Sequence, residues 1–379
     1  MTKKKTSIRK WVKTLHLWLG LISGIVVFVV SFSGALFTFE EEGRDLFQHK
    51  YLYVAEPGNS RLPLQQMADT IKQHFPKELI TSIRFKENKN AAFVFLTKKR
   101  NAISVNPYTA EVIGIRNLEK DFFSVIQNLH THLLMGEVGN EIVRWNVLGF
   151  FIMCVSGLIL WWPKQKKFLK QALKINFKTK NWKRLNWDLH SVLGFYALIV
   201  LFIISLTGLF WMFDATKNIV AKLTNAPLPK KEKKIKSKAN ASGSSYTADQ
   251  AYAYMQGNYP GAAETIITPP KDNADVLRVL MRYPYSIVRK QNTLYFDQYT
   301  GNVLGAELYG NYTAYDKVAR SNYDFHTGRI RLFGIGTKII WFLSALVAAS
   351  LPVTGFMIWW GRNKKNKKRI PTKNAVTAP

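Results

Sequence analysis

The chain has 379 residues, enough for two or three domains, and 47% of them are hydrophobic. Its mean hydropathy is only −0.09, so the apolar residues must be concentrated in blocks. A net charge of +30 would suggest a nucleic-acid partner in a soluble protein, but the position of the charges indicates contact with a lipid bilayer instead. The single cysteine, Cys154, excludes an intrachain disulfide and an iron–sulfur cluster held by Cys thiolates, and we expect it to be a small buried apolar residue.

Four runs without Lys, Arg, Asp or Glu predict four transmembrane helices. They cover residues 15–39, 145–163, 189–213 and 339–361, and about 20 apolar residues are enough to cross a hydrocarbon core of about 30 Å. The first run is too long for the apolar region of a signal peptide, and no clear cleavage site follows it. We therefore expect it to be an uncleaved anchor.

The basic residues predict the orientation. They cluster before the first span, between the second and third spans, and after the fourth, and these segments all fall on one side of a four-span topology. The positive-inside rule places that side, with both termini, in the cytoplasm of a bacterium, and attraction to the lipid bilayer explains the charge without nucleic acid. The basic stretch at residues 230–238 falls outside, in a long loop where the rule counts for little.

The segments between spans 1 and 2 and between spans 3 and 4 each predict a periplasmic α+β domain. In the first, apolar residues recur at helical spacing over residues 64–75. In the second, residues 247–258 predict a helix with Thr247 as its N-cap, and a Lys-rich, Ser- and Gly-containing stretch at 230–245 predicts a flexible linker. The strand-like runs are 80–85, 91–96 and 102–105 in the first domain, and 264–268, 276–281 and 293–297 in the second.

The predicted order along the chain combines these elements. It is a cytoplasmic N-terminus and first span (1–39), a first outer domain with the His130 segment (40–141), a second span (142–163), a basic cytoplasmic loop (164–186), a third span (187–213), a linker and second outer domain with the His326 segment (214–338), a fourth span (339–361) and a basic cytoplasmic tail (362–379).

Both outer domains end in the same hairpin phrase, at residues 105–114 and 296–305. Asn106 and Asp297 are expected to start the turns, and Gly301 supplies a positive φ. Ala110 stands where the second copy has Gly301, so the first hairpin is expected to be strained or to use a different turn.

The spans repeat as well. Leu-His-(x)3-Gly occurs at residues 15–20 and 189–194, and Ser/Thr-Gly-(x)3-Trp-Trp at 156–162 and 354–360. Ser33-Gly34 corresponds to Thr207-Gly208, and His130-Thr131 to His326-Thr327. The chain thus predicts two parallel copies of a unit of span, outer domain and span, and such repeats place shared sites at the interface between the halves.

Four histidines are the candidate site residues, because histidine is rare at membrane depth and is the usual nitrogen ligand of haem iron. His16 and His190 open the first and third spans, and Gly20 and Gly194 follow on the same helical faces, where a flat macrocycle would need a gap. A neutral imidazole can bind iron. Close helix packing is the alternative reading of the glycines.

The outer pair is His130 and His326. Each precedes its uncharged run by more than ten residues, so bends near residues 135–140 and 328–334 are expected to fold the histidine segments back toward the spans. His132 is an alternative to His130, which is favoured because Gly328 stands opposite His132 in the other half. Basic candidates for haem propionates are Arg144, Arg329 and Arg331 outside and Arg9, Lys13 and Lys183 inside, with lipid-head contact equally open for each.

Other cofactors are not indicated. Neither histidine pair comes with the Cys or closely spaced carboxylates that would complete a zinc site, and no nucleotide or hydrolase fingerprint is present.

These motifs resemble the PepSY-associated transmembrane family, and the outer hairpins resemble those of PepSY domains. The resemblance covers nearly the whole chain and implies an α-helical membrane protein of four transmembrane helices in two parallel repeats, each with a periplasmic PepSY-like domain. Members include inner-membrane reductases of iron–siderophore complexes, with two b-type haems held by histidines from four helices. Ala110 and the extra His132 depart from the family pattern.

By this resemblance His16, His190, His130 and His326 would bind two haem b. Electrons from a quinol or a cytoplasmic reductase would then reduce a ferric siderophore in the periplasm. Two alternatives stay open: a haem-free PepSY-domain regulator of periplasmic peptidases, and a transporter of a metal chelate.

Overall fold

The computed structural model of the protein describes residues 8–227, 235–237, 245–330 and 332–367. Within them are 4 helices that are long and apolar enough to cross a membrane, which confirms the four predicted spans. They are α1 (Ile8–Thr38), α6 (Gly136–Trp161), the stretch Trp182–Met212 and α13 (Ile335–Lys367). The helices run several residues beyond the uncharged runs, because an α-helix continues past the hydrocarbon core into its polar ends.

The four spans form a four-sided bundle. α1 contacts α6 and α13, and the third span contacts the same two helices from the opposite side. That third span consists of α8 (Trp182–Asp188), one π-helical turn (Leu189–Leu193) and α9 (Gly194–Met212). Spans 1 and 2, and spans 3 and 4, are each connected through segments of one sheet, so this sheet lies at one end of the bundle, here called the sheet end. The basic loop 164–186 lies at the opposite end.

Shorter helices connect the bundle to the sheet. Those at the sheet end are α2 (Glu40–Phe47), α3 (His49–Leu52), α5 (Phe122–His132), α10 (Asp214–Leu223) and α12 (Ala314–Thr327). The basic loop carries α7 (Leu169–Ala172). α5 packs on α1, and α12 packs on α9, so both helices lie against the spans.

The two outer segments form a single 8-stranded sheet in the order β4-β3-β2-β1-β5-β6-β7-β8. The first segment gives β1 (Ile80–Lys86), β2 (Phe93–Thr97), β3 (Asn101–Val105) and β4 (Val112–Asn117), and the second gives β5 (Glu264–Thr268), β6 (Val276–Arg282), β7 (Gln291–Asp297) and β8 (Val303–Glu307). The segments join where β1 pairs antiparallel with β5, with Ile83 opposite Ile267. The sequence predicted the strands of each unit but not this join.

One face of the sheet is covered by α4 (Leu64–His74) and α11 (Ala248–Asn258). Met67, Ile71 and Met255 from these helices are fully buried against strand residues such as Phe85 and Phe296. The hydrophobic effect therefore stabilises the two segments as one core, because the cluster includes residues of both.

Local signals read from the sequence are present where predicted. Thr247 caps α11, accepting from the backbone of Gln250 in a capping box. Ala110 and Gly301 both have a left-handed backbone, with φ of 60° and 73°, so the two hairpins use the same turn and the first is strained by its alanine. Most of the predicted linker 230–245 lies outside the described residues.

Candidate functional site

Two bends bring the outer histidines back to the spans. After α5 the chain turns through Leu133, Leu134 and Gly136, which have φ of 51°, 58° and 58°, and then enters α6. After α12, Gly328 has φ of 73° and caps the helix before the chain enters α13. The bends expected from the sequence are therefore present, and each makes a helical hairpin with a histidine on its short arm.

The bends place His130 next to His326. Their ring centroids are 6.0 Å apart and the planes are inclined by 71°. Trp211 lies 5.0 Å from the His326 ring and covers one side of it. His132 lies within 2.7 Å of the hydroxyl of its neighbour Thr131 instead.

The outer pair lies within the length of the first span. The Nδ1 of His130 donates to the Val30 carbonyl at 2.8 Å, eight residues before the C-terminal end of α1 at Thr38. Gly34 makes this approach possible, because a Cβ added there would lie 2.9 Å from Cε1 of His130.

The inner histidines share a cavity. His16 and His190 both line a space of about 410 Å³ between the four spans, at the end of the bundle away from the sheet. Gly20 and Gly194 line the same cavity, and a Cβ at Gly20 would meet only the Met153 sulfur, at 3.9 Å. A Cβ at Gly194 would lie 3.5 Å from Leu351, so the space that a flat ligand would need is more open at Gly20.

Each histidine meets a Ser/Thr-Gly dipeptide on another helix. The Nδ1 atoms of His16, His190 and His326 lie 2.8, 2.9 and 2.9 Å from the hydroxyls of Ser156, Thr354 and Thr207, and that of His130 lies 3.4 Å from the Ser33 hydroxyl. At Gly34 and Gly355 the missing side chain lets the imidazole approach the helix, because a Cβ there would lie 2.9 Å from His130 and 3.2 Å from His190. The sequence showed these dipeptides as repeats, but their contact with the histidines required the fold.

The spacing of the outer histidines fits a metal held between two imidazoles, as in a haem site. Two imidazoles that share one axial metal have centroids about 6 Å apart, since metal–nitrogen bonds are about 2 Å and each ring centre lies about 1 Å behind its nitrogen. The outer pair has this spacing. No group of three or more His, Cys, Asp or Glu that could hold a metal ion occurs among the described residues. Haem iron needs only two protein ligands, so a pair of histidines is enough for such a site.

The family model described as the PepSY-associated TM region matches residues 13–362. The chain belongs to the PepSY-associated transmembrane family. The comparison with curated proteins found no match.

In this PepSY-associated protein the basic side chains differ in their availability at the inner cavity. Arg9 donates to the carbonyls of Leu160 and Trp162, at 2.7 and 3.1 Å, and lines the cavity together with Lys13. Arg362 also lines it and was not singled out from the sequence. Lys183 is not among the residues that line the cavity. Lys13 and Arg362 are therefore the inner cations best placed for an anionic ligand group.

At the sheet end the candidate cations are paired within the protein. Arg329 binds Glu40 at 2.8 Å and Glu41 at 3.2 Å, and Arg144 binds Glu141 at 3.1 Å. Arg331 lies outside the described residues. These pairings assign Arg329 to a buried ionic cluster rather than to an open site.

Lys338 completes this cluster and was missed by the sequence reading. It is 1% exposed, although it is a lysine at the start of a span, and its Nζ donates to Glu41 and Glu42 at 2.9 and 2.8 Å. The burial of a full positive charge requires such partners. The cluster joins α2 in the first half to α13 in the second.

Proposed function

We propose that the protein carries electrons across the bacterial inner membrane and reduces ferric iron in siderophore complexes on the periplasmic side. His16 and His190 would hold one b-type haem, and His130 and His326 a second. The observation that carries the proposal is the symmetry of the site: two histidine pairs at different depths in one four-helix bundle, each pair drawn from both halves.

Residues from both repeats would contribute to each haem site. His16 and His190 come from α1 and the third span, while His130 and His326 come from α5 and α12, so each site needs both repeats. Gly20 and Gly194 line the inner cavity, whose walls are mainly apolar side chains of the spans. A haem held by two of these histidines would supply one-electron transfer and would leave no open position for oxygen chemistry.

The substrate is expected to be a chelate with hard oxygen donors. Such donors suit Fe(III) better than Fe(II), so the addition of one electron to the metal weakens the complex and releases Fe(II). The eight-stranded sheet lies at the end of the bundle where the outer histidines are, which supports a role in docking the chelate. The electron donor, a quinol or a cytoplasmic reductase, would act at the opposite end.

A reduced-minus-oxidised absorption spectrum of the purified protein tests the proposal. The wild type should contain two b-type haems, and His16→Ala and His326→Ala should each lose one, because each removes an axial ligand. His132→Ala is the matched control, since His132 contacts Thr131 and not His326, and it should retain both. Size-exclusion profiles check that each variant is folded.

Three outcomes would contradict the proposal. Full haem content in both ligand variants would refute the assignment of these histidines. A colourless wild-type protein that restrains periplasmic peptidases would indicate the regulator instead. Uptake of labelled chelate into vesicles without any reductant would indicate a transporter.

A further inference from the structure

The hydroxyl groups that meet the histidines have already used their only proton. Ser156 donates to the Met153 carbonyl of its own helix at 3.2 Å. Thr354 donates to the carbonyls of Ser350 and Leu351 at 3.0 and 3.1 Å. Thr207 makes the same bonds to Ile203 and Ile204, at 2.8 and 2.9 Å. A hydroxyl has one proton and two acceptor lone pairs, so each of these oxygens can only accept from a histidine.

The acceptor role decides which ring nitrogen carries the proton. In a neutral imidazole one nitrogen donates and the other accepts, and the partner of one nitrogen fixes the state of the other. The nitrogen that faces the hydroxyl is Nδ1 in His16, His190 and His326. When the hydroxyl proton stays on the carbonyl of its own helix, this nitrogen carries the ring proton, which leaves a lone pair on Nε2.

We propose that Ser156, Thr354 and Thr207 are positioning residues that hold His16, His190 and His326 in the Nδ1–H tautomer. The purpose of this tautomer rests on the proposed function, because a metal can bind only the nitrogen that has a lone pair. At His190 the glycine that follows the hydroxyl residue also contributes to the position of the ring. At Gly355 a Cβ would lie 3.2 Å from Cε1 of His190.

A backbone carbonyl three residues before each hydroxyl residue also lies near the ring, that of Met153 for His16, Leu351 for His190 and Ile204 for His326. His130 differs in the order of its two partners. Its nearer partner is the Val30 carbonyl at 2.8 Å, which can only accept, while the Ser33 hydroxyl is farther away at 3.4 Å. His130 should therefore depend less on its hydroxyl residue than the other three do. This difference within one chain provides an internal control.

The test is solid-state NMR of the full chain in lipid, produced without haem and labelled with ¹³C,¹⁵N-histidine. The four site histidines should show the Nδ1–H tautomer, assigned through single histidine substitutions. In Thr354→Val, which keeps the shape and removes the hydroxyl, signals of the Nε2–H tautomer should appear for His190. In Thr354→Ser the hydroxyl remains, and the wild-type signal should be retained.

Two controls separate this effect from a general disturbance of the helix. Ser350→Ala removes a hydroxyl one turn earlier on α13 that donates to the Val347 carbonyl, and it should leave His190 unchanged. Ser33→Ala should leave His130 in its wild-type tautomer because the Val30 carbonyl remains. Thr207→Val repeats the main test at His326, in case Thr354→Val does not fold.

The haem-loaded protein gives a second readout. Removal of a partner of this kind typically costs about 10–100-fold in metal affinity. Thr354→Val should therefore weaken haem binding at one site by about that factor and shift one of two midpoint potentials, whereas Ser350→Ala should change neither.

The two proposals can fail separately. If His190 and His326 keep a pure Nδ1–H signal in Thr354→Val and Thr207→Val, the positioning role is wrong. An Nε2–H signal for these histidines in the wild type would also overturn it. If the tautomers and their variants behave as stated and the protein binds no haem, the tautomer assignment stands and the proposed function fails.

Discussion

At the residue scale, the close approach of an imidazole to a helix depends on single glycines. The ring of His130 lies so near α1 that a Cβ on Gly34 would be 2.9 Å from its Cε1 and 3.2 Å from its Nδ1. A side chain at position 34 would have to displace the ring, which the bend after α5 holds against the Val30 carbonyl. Gly34 is thus as important to the position of His130 as the serine before it.

Gly34→Ala should destabilise the protein by about 1–3 kcal/mol, since overpacking of a tight contact costs about this much. It should also displace His130 and remove the outer haem from the absorption spectrum. Gly149→Ala is the matched control, because a Cβ there meets only Leu19 at 4.0 Å and alanine favours a helix. Thermal unfolding in detergent measures both, and an unchanged Gly34→Ala protein would contradict the contact.

At the element scale, the ionic cluster of Glu40, Glu41, Glu42, Arg329 and Lys338 connects the two halves at the sheet end. Tyr285, in the loop between β6 and β7, also donates to Glu41, at 2.6 Å. The same loop carries Arg289, which pairs with the fully buried Asp324 two residues before His326. Through these contacts α2, the sheet and the His326 helix are held as one unit.

Glu41 gives this cluster a pH dependence. Burial acts to raise the pKa of Glu41, but the charges of Arg329 and Lys338 outweigh it and lower the pKa from 4.5 to about 2. Because the folded carboxyl has the lower pKa, its stabilising contribution is present above pH about 4.5 and is lost as the pH falls toward about 2.

Glu41→Gln should therefore lower the free energy of unfolding by about 1–3 kcal/mol at neutral pH, the usual cost of leaving buried polar partners unsatisfied. The difference from the wild type should shrink as the pH falls from about 4.5 toward 2. Melting temperatures across this range measure it. Glu137→Gln is a suitable control because Glu137 is exposed at the start of α6. A difference that does not change with pH would argue against the assigned pairing.

At the scale of the whole molecule, the two outer segments, which lie between different pairs of spans in the chain, form one sheet. β1 pairs with β5 across the two outer segments, and the core beneath α4 and α11 is shared by both. In the bundle, by contrast, each half contributes one histidine to each pair. The two halves therefore meet in two places, through backbone hydrogen bonds between β1 and β5 in the sheet and through the histidine pairs in the bundle.

Cysteine labelling should show which face of the membrane carries the sheet. In a Cys154→Ser background, Asn273→Cys at the sheet should react with a membrane-impermeant maleimide in intact spheroplasts. Lys170→Cys, in the exposed basic loop, should react only after the membrane is opened. The Cys154→Ser change removes the native, buried cysteine, so that only the introduced cysteine can be labelled. The reverse labelling pattern would invert the predicted topology.

The sequence by itself determined the local features of this protein. Hydropathy located the four spans, because the bilayer requires about 20 apolar residues in a row. Alternation and capping located α11 and the strands β5 to β7, because side-chain period and N-caps act within a few residues. The internal repeat also singled out His16, His190, His130 and His326 before any geometry was known.

Only the tertiary structure decided how these parts meet. The pairing of β1 with β5, the burial of Lys338 and the contact of each histidine with a Ser/Thr-Gly dipeptide join residues far apart in the chain. Such contacts depend on how the helices pack against one another, which a residue pattern within one helix does not encode; the bends at Leu133 and Gly328 were expected from the sequence, but not the partners to which they bring the histidines. The histidines are evident in the sequence, but which nitrogen each presents is fixed by its neighbour across the bundle.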